Sequence, residues 1–318
     1  MTDKQPVACG PCPRASLVPG VSDQTLSLAA PVVAHWLTSA FYEIIHRFGF
    51  FEKYRIHSSQ EEGKKNVVGR LECLRGVLTI QIMQTALGVA IGAFSQEDVA
   101  GPQDGDMLAW EGRVQGAGQV IDDLLSTCGL NVGLSCQVEV QRLVSKIIYH
   151  CLIPVLRFFV ALCLADTWVF FIHRAEHSNQ WIYKMFHARH HELYVPYSWG
   201  GIYDHPIESL FLSVGAFVVA VMGTGMTLRE SIFFSVFSSI KTCTDHGGYR
   251  FPWNPIDVMT TIGADYHDVH HQRWGLKFWD RLFGTDFADT QTVARLYARD
   301  RKAAEMGAEN KEDKIKAS

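Results

Sequence analysis

The sequence predicts an all-α integral membrane protein with about four transmembrane helices and a histidine-rich helical cap on the cytosolic face. Hydrophobic residues make up 47% of the 318 positions and charged residues only 19%, whereas roughly 25% charged residues is usual in soluble proteins. The apolar residues form bands long enough to cross a bilayer. Most of the 14 histidines follow those bands in tight clusters. With a net charge of −4, nucleic acid is not an expected partner.

The first apolar band, residues 26–45, is about 20 residues long and can span the roughly 30 Å hydrocarbon core. It lacks a small-residue cleavage site, so it predicts an anchored helix and not a cleaved signal peptide. Residues 77–94 and 147–172 predict the second and third spans. Two shorter bands, 207–222 and 231–240, predict a helix pair that either dips into the bilayer as a re-entrant hairpin or crosses it obliquely.

Basic residues orient these spans, because loops rich in Lys and Arg remain cytosolic. The loop between the first two bands is predicted to be cytosolic, and its basic residues are Lys53, Arg55, Lys64, Lys65, Arg70 and Arg75. The next loop, residues 95–140, has Arg113 as its one basic residue and is predicted to be acidic and lumenal. Its glycine-rich part, 100–118, is expected to be solvated loop. The third span then returns to the cytosol, where the histidine clusters and the C-terminus lie.

Nine histidines lie in the motifs HRAEH, FHARHH, KTCTDH and YHDVHH, which follow the membrane bands. They are His173, His177, His187, His190, His191, His246, His267, His270 and His271. A random chain of this composition would contain about 0.03 copies of His-x-x-His-His, and this chain contains two. On a helix, offsets of three and four residues would place the three rings of FHARHH on one face. Converging neutral imidazoles bind divalent metals.

Nine imidazoles exceed the roughly six ligands that one ion accepts, so two metal ions are predicted. Imidazole binds Zn, Cu, Fe and Ni alike, which leaves the metal open. A position at the membrane surface favours oxygen chemistry on a lipid chain, and that chemistry needs a redox metal. Four acids are candidates for holding the imidazoles in place: Asp166, Glu176, Asp245 and Asp268.

The other histidines are predicted to have local roles. His35, His46 and His150 stand alone in apolar bands, and His57 lies in the basic loop. His205 follows the second cluster closely and is a further candidate ligand.

Two terminal motifs are weaker signals. The CGPC sequence at 9–12 is similar to a thioredoxin active site, but no predicted strand precedes it, so the role of Cys9 and Cys12 stays open. Lys314 and Lys316, fifth and third from the end, resemble a dilysine signal that retrieves membrane proteins to the endoplasmic reticulum.

The chain resembles the fatty acid hydroxylase/sterol desaturase superfamily, and within it the fungal sphinganine C4-hydroxylases. The resemblance rests on DTWVFFIHRAEH, FHARHHELYVPYSWGGIYDHPIE, KTCTDHGGYRFPW, YHDVHHQRWGLK and FWDRLFGT, with YRIH at 54–57 as a further match. It covers about residues 26–286. It implies a monooxygenase of the endoplasmic reticulum membrane that hydroxylates C4 of sphinganine-type long-chain bases, the reaction that forms phytosphingosine.

The resemblance also implies cofactors and partners. The nine clustered histidines would hold two iron ions as a non-haem diiron centre, with O₂ as co-substrate. Electrons would come from NAD(P)H through a reductase and a separate cytochrome b5, because no HPGG-type haem motif is present. On this basis residues 1–25 form an N-terminal tail, 26–145 an N-terminal membrane region, 146–290 the diiron domain and 291–318 a cytosolic tail.

The chain departs from the family pattern at two places. Family members carry an Asn-Phe…Gln-Pro-Phe stretch where Lys277 here runs directly into Phe278, and some have a histidine where this chain has Thr242. Three alternatives therefore stay open. They are the same chemistry on a sphinganine-like secondary metabolite or other long-chain lipid, a histidine-rich metal-binding membrane protein, and an inactive paralogue.

Overall fold

Helices account for the secondary structure in the part of the chain that the computed structural model describes, residues 15–57, 63–93, 101–130, 138–260, 263–265 and 267–268. The main helices are α1 (Asp23–Phe48), α2 (Arg70–Gly92), α3 (Gly101–Thr127), α4 (Glu139–Ser178), α5 (Pro206–Thr224), α6 (Leu228–Asp245) and α7 (Pro255–Thr260). The described ranges contain no strand, only isolated β-bridges. The all-α prediction is confirmed for these residues.

Four helices are long and apolar enough to cross a membrane: α1, α2, α4 and α5. At most 22% of the most apolar window of each is buried inside the protein, so most of the apolar side chains face outward, as expected where lipid is the neighbour. The prediction of about four membrane helices is confirmed. The CGPC motif, the dilysine motif and the sequence after Lys277 lie outside the described residues.

Local signals set the ends of the helices. Ser22 caps α1 by accepting a hydrogen bond from the Thr25 N–H at 3.0 Å. The helix ends at Gly49, which has φ 67°, a left-handed conformation that costs glycine little. Thr227 and Glu230 form a reciprocal capping box at the start of α6.

Helix α4 has 40 residues and is therefore about 60 Å long, twice the hydrocarbon thickness. It contains a widened π turn at Ile148–Leu152. Pro154 follows that turn and has no N–H to donate to the carbonyl of residue 150, which explains the local loss of α geometry. The C-terminal half, Ile153–Ser178, delivers His173 and His177 in its last two turns.

Small residues allow α4 and α5 to approach closely. Ala161 and Ala220 are both fully buried in one cluster with Phe158. A Cβ on Gly215 would lie 2.8 Å from Trp168 Nε1, so this position has room only for glycine. Close packing of small residues is the usual way that membrane helices associate, because lipid offers no hydrophobic driving force between them.

One prediction from the sequence is wrong. Residues 101–118 of the glycine-rich stretch 100–118, expected to be loop, belong to α3, which packs on the first turns of α4. Packing offsets the roughly 1 kcal/mol that each helical glycine costs. The band 231–240 lies in α6, which packs along α1 and is not among the four candidate spans. A re-entrant hairpin formed with 207–222 stays a prediction.

Candidate metal centre

Four segments bring seven of the nine predicted histidines together. His173 and His177 end α4, and Asn179 caps the short helix that follows. That helix widens into a π turn at Tyr183–His187 and tightens into a 3-10 turn at His190–Glu192. His246 follows the last residue of α6, and His267 lies beyond α7. His270 and His271 lie outside the described residues.

The seven rings form two groups. The first group is His173, His177, His187 and His191, and the second is His190, His246 and His267. Within each group one nitrogen per ring lies within 4.8 Å of every other. The groups adjoin each other, since the ring centroids of His187 and His190 are 5.7 Å apart.

The three rings of FHARHH do not all belong to one group. His187 and His191 join the first group, whereas His190 joins the second. The backbone passes from a π turn through Ala188 and Arg189 into a 3-10 turn, so regular α spacing is lost between the rings. The same short segment therefore contributes to both groups.

The Nε2 atoms of the first group converge. His177 Nε2 lies 3.1 Å from His173 Nε2 and 3.0 Å from His187 Nε2. His191 Nε2 lies 2.8 Å from His187 Nε2. In the second group the Nε2 atoms of His246 and His267 are 3.0 Å apart.

The opposite ring nitrogens contact fixed acceptors. His187 Nδ1 donates to Glu208 Oε1 at 2.5 Å, and His246 Nδ1 donates to the Thr242 carbonyl at 2.8 Å. His190 Nδ1 lies 2.9 Å from Asp204 Oδ1. A neutral ring that donates through Nδ1 has a bare lone pair on Nε2. Burial, with a smaller contribution from the neighbouring His190, lowers the pKa of His246 to about 3, so that ring is neutral at physiological pH.

Bare lone pairs about 3 Å apart repel each other unless a cation lies between them. Nitrogen ligands at about 2.1 Å from one metal, at right angles, are about 3 Å apart. The spacing in both groups therefore fits imidazole ligands of metal ions. Histidine and carboxylate supply the donor set, and this set accepts Fe, Zn or Cu.

The other predicted residues have distinct positions. Glu176 Oε2 lies 3.6 Å from His187 Nδ1, close to the centre as expected. Asp245 instead forms an ion pair with Lys241 one turn earlier, and Asp166 lies on α4 two turns before the first histidine. His205 caps the start of α5, where its Nδ1 accepts from the Ile207 N–H at 3.3 Å.

His35 and His46 lie outside the two histidine groups. Nδ1 of His46 lies 3.1 Å from the Arg55 guanidinium, a contact close in the chain as expected, whereas Nδ1 of His35 lies 3.2 Å from Cys243 Sγ, 208 positions away. His150 is exposed in the π turn of α4.

Sequence reasoning missed three residues. Asp204 and Glu208 lie on either side of His205, but only the histidine of this motif was predicted from the sequence to be a candidate ligand. His57, assigned to a loop, is buried with its Nε2 2.9 Å from both oxygens of Asp268, the residue after His267. The two residues are 211 positions apart, so local sequence gives no signal of this pair.

Comparison with known proteins identifies the family. The sphingolipid C4-hydroxylase of Saccharomyces cerevisiae is 35% identical over 86% of this chain and 75% of its own length. The family model "Fatty acid hydroxylase" matches residues 158–285. The chain belongs to the fatty acid hydroxylase family.

Two further relatives are similar to this chain over comparable lengths. This fatty acid hydroxylase is 32% identical to the sphingolipid C4-hydroxylase of Schizosaccharomyces pombe, over 82% of this chain and 87% of that protein. It is 31% identical to sphinganine C4-monooxygenase 2 of Arabidopsis thaliana, over 83% of this chain and 88% of that protein. No solved structure matches it significantly. Family membership implies the use of iron and O₂, and the two histidine groups fit iron.

Proposed function

We propose that this fatty acid hydroxylase is a sphinganine C4-monooxygenase that converts sphinganine-type long-chain bases to phytosphingosine-type products. The observation that supports the chemistry is the convergence of seven imidazoles in two adjoining groups at the end of a membrane helix. The observation that supports the substrate is the similarity, over more than four fifths of the chain, to proteins named for C4 hydroxylation.

We propose that the nine predicted histidines hold two iron ions, His270 and His271 remaining predicted ligands. Iron supplies the capacity to activate O₂. The chain's own residues fix the imidazoles, exclude water and position the substrate. His187, His190 and His246 are at most 7% exposed, so the reacting region is shielded from bulk solvent. We propose that electrons come from NAD(P)H through a reductase and a separate cytochrome b5.

Expression in a cell that lacks its own C4-hydroxylase tests this function. We expect 4-hydroxylated long-chain bases to reappear. If none appear although the protein is stable and contains iron, a related lipid or a secondary metabolite is the substrate. Stable protein without iron would instead identify an inactive paralogue.

An apolar groove between α1 and α2 is suited to the alkyl chain of such a base. It has a volume of about 600 Å³ and is lined by Val32, Trp36, Leu78, Gln81, Ile82, Thr85, Ala86 and Val89. Leu78 to Val89 extends about 16 Å along α2. Two of the lining residues are joined across the groove, because Trp36 Nε1 donates to Gln81 Oε1 at 2.9 Å. Trp36 packs against the same buried cluster as Trp199 and Ile202. These two residues flank Gly200 and Gly201, and a Cβ on Gly201 would lie 2.8 Å from His246 Nδ1.

Replacing Ala86 by Phe is expected to narrow this groove and lower kcat/KM for long bases about tenfold relative to short ones. The measurement is competition between bases of different chain length. Ala40→Phe is the matched control, because Ala40 is exposed on α1 and does not line the groove. An unchanged chain-length preference in Ala86→Phe would place the alkyl chain elsewhere.

We also propose that the protein resides in the endoplasmic reticulum membrane with the histidine groups and the C-terminus in the cytosol. The basic loop between α1 and α2 supports this orientation. Glycosylation sites inserted near residue 63 and after residue 311 should stay unmodified, whereas a site at residue 129, beyond α3, should be glycosylated. Modification of the C-terminal site would reverse the orientation.

A further inference from the structure

Three buried carboxylates lie behind the histidine groups, on the side opposite the converging Nε2 atoms. Glu176 is 5% exposed, Asp204 3% and Glu208 1%. Glu176 and Glu208 each offer an oxygen within 4.8 Å of the other and of His187. Burying like charges this close together is costly unless positive charge balances them.

Among the described residues, we find one positive side chain beside these three acids, that of Arg189. Arg189, whose guanidinium lies 4.6 Å above the Tyr203 ring, contributes one positive charge to the region. The histidines around the acids present their Nδ1 atoms, and neutral rings add no charge. Two divalent ions would bring a charge of about +4, and imidazole ligands would neutralise none of it. The negative charge of the carboxylates would therefore balance the positive charge of the metal ions.

Two of the acids also lie against ring nitrogens of the histidine groups. Glu208 Oε1 accepts from His187 Nδ1 at 2.5 Å, and His187 belongs to the first group. Asp204 Oδ1 lies 2.9 Å from Nδ1 of His190, which belongs to the second group. The five-residue segment 204–208 therefore contacts one imidazole of each group. Its own geometry is fixed, because Glu208 Oε2 accepts from the His205 N–H at 3.3 Å in a capping box.

We propose that Asp204 and Glu208 are positioning residues that hold one imidazole of each histidine group and, together with Glu176, supply the negative charge that balances two divalent ions. The inference rests on the metal-binding part of the proposed function and is independent of the substrate. Carboxylates that hold metal-binding histidines typically change metal affinity 10- to 100-fold when removed.

The test uses the purified full-length protein in detergent, titrated without oxygen with Fe²⁺ and with Co²⁺, whose visible spectrum reports ligand geometry. Asp204→Asn and Glu208→Gln keep an oxygen that can accept from Nδ1–H but remove the charge. Each is expected to bind metal about 10-fold more weakly. Asp204→Ala and Glu208→Ala lose the acceptor as well, and are expected to show a changed Co²⁺ spectrum.

Glu230→Gln is the matched control, because Glu230 occupies the same capping-box position in α6 that Glu208 occupies in α5. It should bind Fe²⁺ and Co²⁺ as the unaltered protein does, which separates loss of a helix cap from loss of the centre. Asp204→Asn removes no cap and serves if Glu208 variants fail to fold.

Each outcome decides one part of the proposal. Unchanged affinity in both amide variants would overturn the charge-balancing role. Unchanged affinity and spectrum in both alanine variants would overturn the positioning role. An unaltered protein that binds neither ion would refute the metal centre itself, whereas normal metal binding without C4 hydroxylation would refute only the proposed substrate.

Discussion

His190→Ala is expected to abolish hydroxylation and to remove about one of the two proposed metal ions from each chain. The FHARHH segment contributes one ring, His190, to the second group, and this residue is 7% exposed. Its removal deprives one ion of a ligand and leaves Asp204 Oδ1 without the nitrogen that lies 2.9 Å away. Since loss of a residue that only supports a ligand costs 10- to 100-fold, loss of a ligand should lower turnover by more than about 100-fold.

The measurement is turnover together with metal content of the purified variant. His150→Ala is the control, because His150 is exposed in the π turn of α4 and its ring contacts that of Tyr149 at 5.1 Å. Surface substitutions of this kind change stability by no more than about 0.5 kcal/mol, so we expect turnover within about twofold of normal. Normal turnover and metal content in His190→Ala would remove this ring from the centre.

Gly201→Ala is expected to damage the second histidine group without adding or removing a polar atom. A Cβ at this position would lie 2.8 Å from His246 Nδ1 and 2.6 Å from Thr242 Cγ2. The His246 ring is 3% exposed and is held by the Thr242 carbonyl, so it has little room to move away. Displacing the ring breaks its Nδ1 hydrogen bond and misdirects Nε2. We expect a 10- to 100-fold loss of turnover and weaker metal binding, with unchanged helical content.

Gly116→Ala separates this effect from a general effect of replacing glycine. A Cβ on Gly116 would have no atom within 4 Å, and the residue lies inside α3. Alanine there should stabilise the helix by roughly 0.5–1 kcal/mol and leave turnover unchanged. Normal metal binding and turnover in Gly201→Ala would show that the segment 198–202 does not constrain His246.

The membrane spans and the histidine groups could be predicted from sequence because both are encoded locally. The length of an apolar band can be read from consecutive residues, and pairs such as His173 and His177 are close in the chain. The division of rings between the groups was not predictable, since it depends on the change from π to 3-10 geometry between His187 and His190.

Long-range contacts formed the other part that sequence did not predict. His57 and Asp268 meet across 211 positions. Asp204 and Glu208 became significant only when the fold placed them behind His190 and His187. Helix α3 was missed because a glycine-rich composition favours loop, and its packing on α4 overrides that preference.

The central claim is that two adjoining histidine groups hold iron that hydroxylates C4 of a long-chain base. The most direct measurement is mass spectrometry of the product formed from sphinganine by purified, iron-loaded protein with a chemical reductant and isotopically labelled O₂. The account predicts about two irons per chain and one labelled oxygen atom at C4 of the product. Iron-loaded protein that returns unmodified sphinganine, or a product labelled at a different carbon, would contradict it.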